Sequence, residues 1–413
     1  VSTTEPTRAP HAPRYLDAAA TAPLRAEARA ALIDALDAGA ANPSSVHSAG
    51  HRARMIVDEA RARVAAGLGA RAGELIFTSG GTEANNLAVI GLALANPRGR
   101  HVVTTAVEHP SVLESCRYLE RVFGFELTVL DVDGTGRVSA EALAAVLRPD
   151  TTLVSIGLAN GEVGTVQPVP ELAAVARLRG ALVHTDAVQA APSLPVSFGS
   201  ADRASGPDAT IAGDGWPGPG VDAMTVASHK FGGPQGAGAL LLRGHLRLEP
   251  LLHGGGQERG ARSGTENVAA IAGFGAAVRA CAADVGSRAL ELMRSRDAFV
   301  ELVLAEVPGA RLTGHPSERL PGHASFVIEG VSGESLLVAL DAAGFAVSSG
   351  SACAAGKDEP SPTLLALGLS PEIAQTAIRF TFPAPLSETD LARVVAVLRL
   401  EASAAGAARP RRM

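Results

Sequence analysis

Lysine is almost missing from this chain. Of 36 basic residues in 413, only Lys230 and Lys357 are lysines, and Arg supplies the rest. Any chemistry that needs a side-chain amine therefore has two candidates. Cysteine is nearly as sparse: Cys116, Cys281 and Cys353 are an odd set that argues against a disulfide framework. Aromatics make up 3% of the residues, so the core must be built mainly from Ala, Val and Leu. A formal net charge of −6 leaves no electrostatic footprint for nucleic acid. The one basic cluster, Arg409, Arg411 and Arg412, closes an Ala-rich tail that reads as solvated. No run of about 18 apolar residues is free of Gly, Pro or charge, so no membrane span is expected. Val1 to Pro13 lacks the apolar centre of a signal peptide. These absences point to a soluble, cytoplasmic protein with no direct nucleic-acid or membrane partner.

The 46% hydrophobic content and the length suffice for two packed domains. Residues 24–38 and 52–68 read as amphipathic helices, with the turn signal Asn42-Pro43-Ser44-Ser45 between them. From there short apolar strands alternate with helices. Strands are expected at 75–78, 101–107, 125–130, 153–158 and 181–185, and helices at 82–95, from Ser111, at 139–147 and at 169–179. This rhythm predicts an α/β fold with a mostly parallel sheet covered by helices on both faces. Ligands of such sheets collect at the carboxyl ends of strands. Residues 199–220, rich in Gly, Pro, Ala and Asp and holding the single Trp216, read as an inserted surface loop. A long helix at 268–306 should bridge to a smaller α/β domain with strands at 324–328 and 376–382 and helices at 333–343 and 387–404. The expected division is a flexible 1–14, a large domain 15–270, a small domain 271–404 and a tail 405–413.

Four segments carry chemistry. Gly80-Gly81-Thr82-Glu83 joins a strand to a helix, and free amides at a positive helix end suit a phosphate, although such a turn is often purely structural. Val183 to Gln189 brings Asp186 out of a buried strand to its carboxyl end. There it can keep a pyridine nitrogen protonated or simply cap a helix. Met224 to Pro234 delivers Lys230 from an apolar strand into a Gly/Pro turn, where a partly desolvated amine can form a Schiff base. Val347 to Gly356 holds Cys353 among small residues, an accessible setting that suits a nucleophilic thiol. Cys116 and Cys281 fall within helical patterns and read as core packing. His47 and His51 are four apart, but Gly50 argues against a helix there and no carboxylates join them, so no metal site is expected.

Together these segments resemble the cysteine desulfurases, NifS-like members of the class V aminotransferase family and of the fold-type I pyridoxal-phosphate enzymes. The likeness runs from Tyr15-Leu16-Asp17 to about Phe382. It includes Asn42–Ser45, Thr78–Asn86, Glu108-His109-Pro110, Asp186–Gln189, His229-Lys230-Phe231, His253–Asn267 and Ser348–Cys353. The resemblance implies that Lys230 binds pyridoxal 5′-phosphate covalently and later moves the Cα proton. It implies that Asp186 pairs with the ring nitrogen, Gln189 meets the ring oxygen, and His109 stacks on the ring and acts in proton transfer as a catalytic residue. Gly81, Thr82, Ser228 and His229 would hold the phosphate, Asn160 would contact the cofactor, and Thr265 would reach the phosphate of the other subunit of a homodimer. Arg379 would clamp the substrate carboxylate, with Asn42 also on the substrate side. L-cysteine would yield L-alanine and a persulfide on Cys353. The long stretch from Ser351 to Leu365 resembles group I members, whose sulfur goes to an acceptor protein for iron–sulfur cluster assembly or tRNA thiolation.

The chain departs from the family pattern at Gly161, where Asn is usual in Asn160-Gly161-Glu162. It also departs at Ala18 for Asn, Ala227 for a phosphate-binding serine that Ser228 would replace, and Pro362 for His. A selenocysteine lyase or another aminotransferase of the same fold would keep Lys230 and Asp186 without needing Cys353. A non-catalytic scaffold would need neither.

Overall fold

Strand residues of alternating direction build two cores, one on each face of a seven-stranded sheet. In the computed structural model, which describes residues 13–39, 41–96, 98–199, 220–349 and 359–408, the order is β2 (Leu75–Thr78), β8 (Gly238–Leu242), β7 (Ala223–Ala227), β6 (Leu182–Asp186), β5 (Thr151–Ser155), β3 (His101–Thr105) and β4 (Glu126–Leu130). All are parallel except β8, which runs antiparallel to both neighbours. Successive side chains point to opposite faces. Ile76, Val102, Leu153 and Leu240 therefore join α3 (Gly81–Ala95) and α4 (Pro110–Phe123) in one core. Phe77, Val103, Val154 and Leu241 join the other core, with α1 (Ala26–Asp37), α2 (Ser48–Gly67), α6 (Val169–Leu178) and α7 (Val268–Glu306). Both faces are covered, which is why β3, β5, β7 and β8 are buried along their whole length. The short α5 (Ala140–Val146) packs on α6.

The second unit is an antiparallel sheet in the order β12 (Ser348–Ser349), β13 (Ala377–Thr381), β10 (His323–Ile328), β9 (Ala310–Leu312). It is backed by α8 (Gly333–Ala342), α11 (Glu388–Ala408) and the far half of α7. Phe299 of α7 sits at the centre, meeting Phe326, Phe380 and Phe382 edge-on at 5.8, 5.0 and 5.5 Å. The short α9 (Pro362–Ala366) and α10 (Pro371–Ala374) lead into β13. By length and composition α7 is apolar enough to cross a membrane, but most of that stretch is buried within the protein against α1 and α2.

Several expectations need correction. β1 (Arg14–Tyr15) pairs parallel with β11 (Phe345–Ala346), and Leu16 is fully buried in the smaller core. Residues 14–17 therefore pack on the small unit before the chain reaches the large one. α2 begins at Ser48 and runs through Gly50, with His47 as its N-cap accepting from Gly50 N at 3.2 Å. A side chain is excluded at Gly50 because a Cβ would stand 2.2 Å from Ser45 O. α11 continues into the expected tail, to Ala408. Residues 200–219 of the expected loop, with Trp216, lie outside the described residues, as do Cys353 and Lys357.

Candidate active site

The carboxyl ends of β6 and β7, adjacent in the sheet, bring Asp186 and Lys230 to one edge. Asp186 is held from two directions: its Oδ2 accepts from Asn85 Nδ2 at 2.6 Å and its Oδ1 from Val188 N at 2.9 Å. Lys230 follows β7 in a single tight turn, Ser228–Lys230. Its Nζ donates to the carbonyls of Ala19 and, at 2.8 Å, Ala20. Gln189 Nε2 donates to the same Ala19 oxygen at 3.0 Å. The N-terminal segment thus lies over the sheet edge and gathers the amine and the amide on one carbonyl. His229 bonds Thr21 Oγ1 at 3.1 Å; burial, helped by the Lys230 charge, pushes its imidazole down to about 4.

His109 stands at the end of β3 as the N-cap of α4. Its Nδ1 accepts from Ser111 N at 3.1 Å and lies 2.7 Å from Ser111 Oγ, which assigns the ring proton to Nε2. Asn85 Nδ2 also reaches Ser111 Oγ, at 2.9 Å. One amide therefore links Asp186 through Ser111 to His109. Burial lowers the His109 pKa; Asp186 opposes that and Lys230 adds to it, with a net shift that favours the neutral ring. Beside it, Glu108 accepts from Thr105 Oγ1 at 2.7 Å and Gly157 N at 2.9 Å. Burial nevertheless pushes its carboxyl up to about 7, and the nearby Asp186 charge acts in the same direction.

Between β2 and α3 the chain turns at Gly80 and Gly81; a Cβ on Gly80 would meet open space, whereas Gly81 is close to its neighbours. A Cβ on Gly81 would come within 3.0 Å of Val188 Cγ2 and 3.4 Å of Ala227 Cβ, and one on Gly238 would strike the Gly80 backbone at 2.6 Å. Thr82 is exposed at the helix start. Ala227, not Ser228, faces this turn. The Ser228 hydroxyl is buried without a hydrogen-bond partner and lies against Gly233, where a Cβ would sit 2.3 Å from it. Ser228 therefore does not take over the serine position that Ala227 vacates.

On the other side of the site, Arg379 of β13 is 6% exposed. Its guanidinium donates to Asp17 Oδ1 at 2.7 Å and Gly161 O at 3.0 Å, and its Nε is buried without a partner. Asn160 is committed to the backbone: Nδ2 donates to Val107 O at 2.9 Å, and Oδ1 accepts from Glu162 N and Val163 N at 2.8 and 2.9 Å. Its amide shapes the turn that presents Gly161 O and is not free for a ligand. A cavity of about 330 Å³ touches Lys230, Gln189, Ala18, His323, Cys281 and Phe382. Asn42 stands exposed before α2, its Oδ1 accepting from Ser44 N at 2.8 Å. Thr265 is exposed on the loop that precedes α7. Lys230 and Gln189 thus meet on one carbonyl, and His109 is joined to Asp186 through Asn85 and Ser111. Asn42 and Thr265 are exposed and, among the described residues, share no hydrogen bond with any of them; Cys353 lies outside the described residues. Cys116 and Cys281 are free and buried in the cores, and burial raises the Cys116 thiol to about 12.

Asn85, Glu108 and Asp17 were not singled out from sequence, although each lies inside a quoted motif. For Asp17 and Glu108 the usable signal was position, a polar side chain two or three residues past a strand; for Asn85 it was a polar residue in the apolar helix α3.

A sequence model described as "Aminotransferase class-V" matches residues 14–203 and 218–394. The "Cysteine desulfurase IscS" of Dictyoglomus turgidum is 41% identical over 385 residues, covering 93% of this chain and 93% of its own. A solved "NIFS-LIKE PROTEIN" superposes with a TM-score of 0.83 at 31% identity, covering 95% of this chain and 99% of its own. A structure titled "SspA in complex with cysteine" superposes with a TM-score of 0.75 at 30% identity, covering 91% and 100%.

Proposed function

This chain belongs to the class-V aminotransferase family, and on that premise we propose that it is a cysteine desulfurase that uses pyridoxal 5′-phosphate to convert L-cysteine to L-alanine. One observation carries the reading: Lys230, one of two lysines in the chain, and Asp186 come from adjoining strands β7 and β6 and both act on His109, while Arg379 closes the other side through Gly161. The residues fit the cofactor. The donor set has a carboxylate, an amine, an imidazole and an amide, and the Gly81 turn is a cradle that a Cβ would fill. When bound, the cofactor supplies a carbonyl for Lys230 and an electron-withdrawing ring that takes up charge at the substrate Cα.

The chain's own groups supply the rest. Asp186, oriented by Asn85 and Val188, would hold the ring nitrogen. The Gly80–Thr82 turn and His229 would hold the phosphate, and His109, neutral by burial, would meet the ring with its Nε2–H available. Arg379 binds the substrate carboxylate with the donors that now meet Gly161 and Asp17 and with its unpartnered Nε. Released from the Ala19 and Ala20 carbonyls, Lys230 accepts the Cα proton. The Cys353 thiolate attacks the substrate sulfur: an S–S bond forms, the C–S bond breaks, and its electron pair returns to the carbon skeleton. That skeleton leaves as alanine after protonation.

The persulfide sulfur passes to an acceptor protein for iron–sulfur assembly or tRNA thiolation. The exposed Thr265 suits a loop that reaches the partner site of a homodimer, and the free thiols of Cys116 and Cys281 suit the cytoplasm. The test is product analysis. Alanine formed from L-cysteine in step with sulfide or persulfide, with no requirement for a ketoacid, supports the reading. Amino-group exchange with a ketoacid and no sulfur release would assign an aminotransferase instead.

A further inference from the structure

Three Glu–Arg pairs stitch the loop at 251–267 to the large domain. In two of them the loop supplies the acid: Glu258 meets Arg61 of α2 at 2.6 and 2.8 Å, and Glu266 meets Arg54 at 3.0 Å. The third is reversed. Arg262 of the loop reaches Glu83 of α3 through Nε at 2.8 Å and NH2 at 3.3 Å. Glu83 is in the first turn of α3, and the same carboxylate accepts from Ser79 N at 2.8 Å and Ser79 Oγ at 2.5 Å. It therefore straddles the Gly80–Gly81 turn.

A helix N-terminus offers its free amides and positive dipole end to an anion. Here an anion is already in place, and a phosphate arriving at Gly81 and Thr82 would be the second. Burial opposes the Glu83 charge, yet the bonds from Arg262 and Ser79 hold its carboxyl below the ordinary range, so it remains ionised. The two anions would repel across one short turn unless a cation intervenes. Arg262 is the side chain ion-paired to Glu83, and both are mostly buried, at 20% and 17% side-chain exposure. Solvent screening of that pair is correspondingly weak.

We propose that Arg262 is a positioning residue for the cofactor phosphate: it cancels Glu83 at the phosphate turn and fastens the loop bearing Thr265 to it. The inference rests on Gly81 and Thr82 being the phosphate seat, as read above. The full chain, freed of cofactor, is titrated with pyridoxal 5′-phosphate and separately with pyridoxal. Binding is followed by the visible band and by borohydride trapping at Lys230. Arg262→Gln should weaken pyridoxal 5′-phosphate binding about tenfold, the equivalent of ~1.4 kcal/mol, and leave pyridoxal within about twofold. Glu83→Gln/Arg262→Gln should recover most of the loss, and Glu83→Gln alone should bind the phosphate form at least as tightly as the parent. Equal losses for both aldehydes, no loss in Arg262→Gln, or a double variant no better than Arg262→Gln would overturn it. If Arg262→Gln fails to fold, a weakened Glu83→Gln overturns it and an undiminished Glu83→Gln supports it. A parent protein that fails to distinguish the two aldehydes removes the phosphate seat itself, and the inference with it.

Discussion

Asp17 and Arg379, 362 positions apart, meet at 2.7 Å and tie the N-terminal segment to the central strand pair of the small sheet. The pair fixes the guanidinium plane while leaving Nε unpartnered. Arg379→Gln should raise KM for L-cysteine about ten- to a hundredfold, the range of one charge-assisted hydrogen bond, with a smaller effect on kcat. Because Asp17 acts through the arginine, Asp17→Asn should add little to Arg379→Gln in the double variant. Steady-state alanine formation measures both, and fully additive effects would contradict the pairing.

Gly161 stands where the resembling family has Asn, and here the missing side chain leaves room for Gln189. A Cβ would come within 2.7 Å of Gln189 Nε2 and 2.9 Å of its Cδ. Gly161→Asn should swing Gln189 off the Ala19 carbonyl, shift the visible band of the bound cofactor and cost about 1–3 kcal/mol of stability. An unchanged spectrum and melting temperature would show that the space is freer than the structure indicates.

Much of this was legible in the chain and some was not. Buried parallel strands read as plain apolar runs, so the ends at Asp186 and Lys230 announced themselves. The direction of a strand does not appear in such a run: Gly238–Leu242 carries no mark that it is antiparallel. The two-residue pairing of Arg14–Tyr15 with Phe345–Ala346 is too short to leave a pattern. Partners such as Asp17 with Arg379, or Glu83 with Arg262, are set by tertiary approach, which no local spacing encodes. The family resemblance pointed to Asn160; its commitment to the Glu162 and Val163 amides could not be read from the sequence.

Two acids give the fold a dependence on pH. Burial raises Glu108 and Glu162 from the ordinary 4.5 to about 7. Each binds its proton more tightly folded than unfolded, so its contribution to stability is complete below about 4.5 and is lost as pH rises through about 7. Replacing either by Gln should remove that loss. Glu108→Gln and Glu162→Gln should therefore gain melting temperature relative to the parent as pH is raised from 5 to 8. A difference that is constant across that range would contradict the assignment.

The account comes down to where the sulfur goes. The protein loaded with pyridoxal 5′-phosphate is incubated with L-cysteine and its peptides are weighed by mass spectrometry, beside a Cys353→Ser variant. One additional sulfur on the peptide holding Cys353, absent from a variant that keeps its cofactor colour and makes no alanine, is the predicted result. Sustained alanine production by Cys353→Ser, or added sulfur on Cys116 or Cys281 instead, would contradict it.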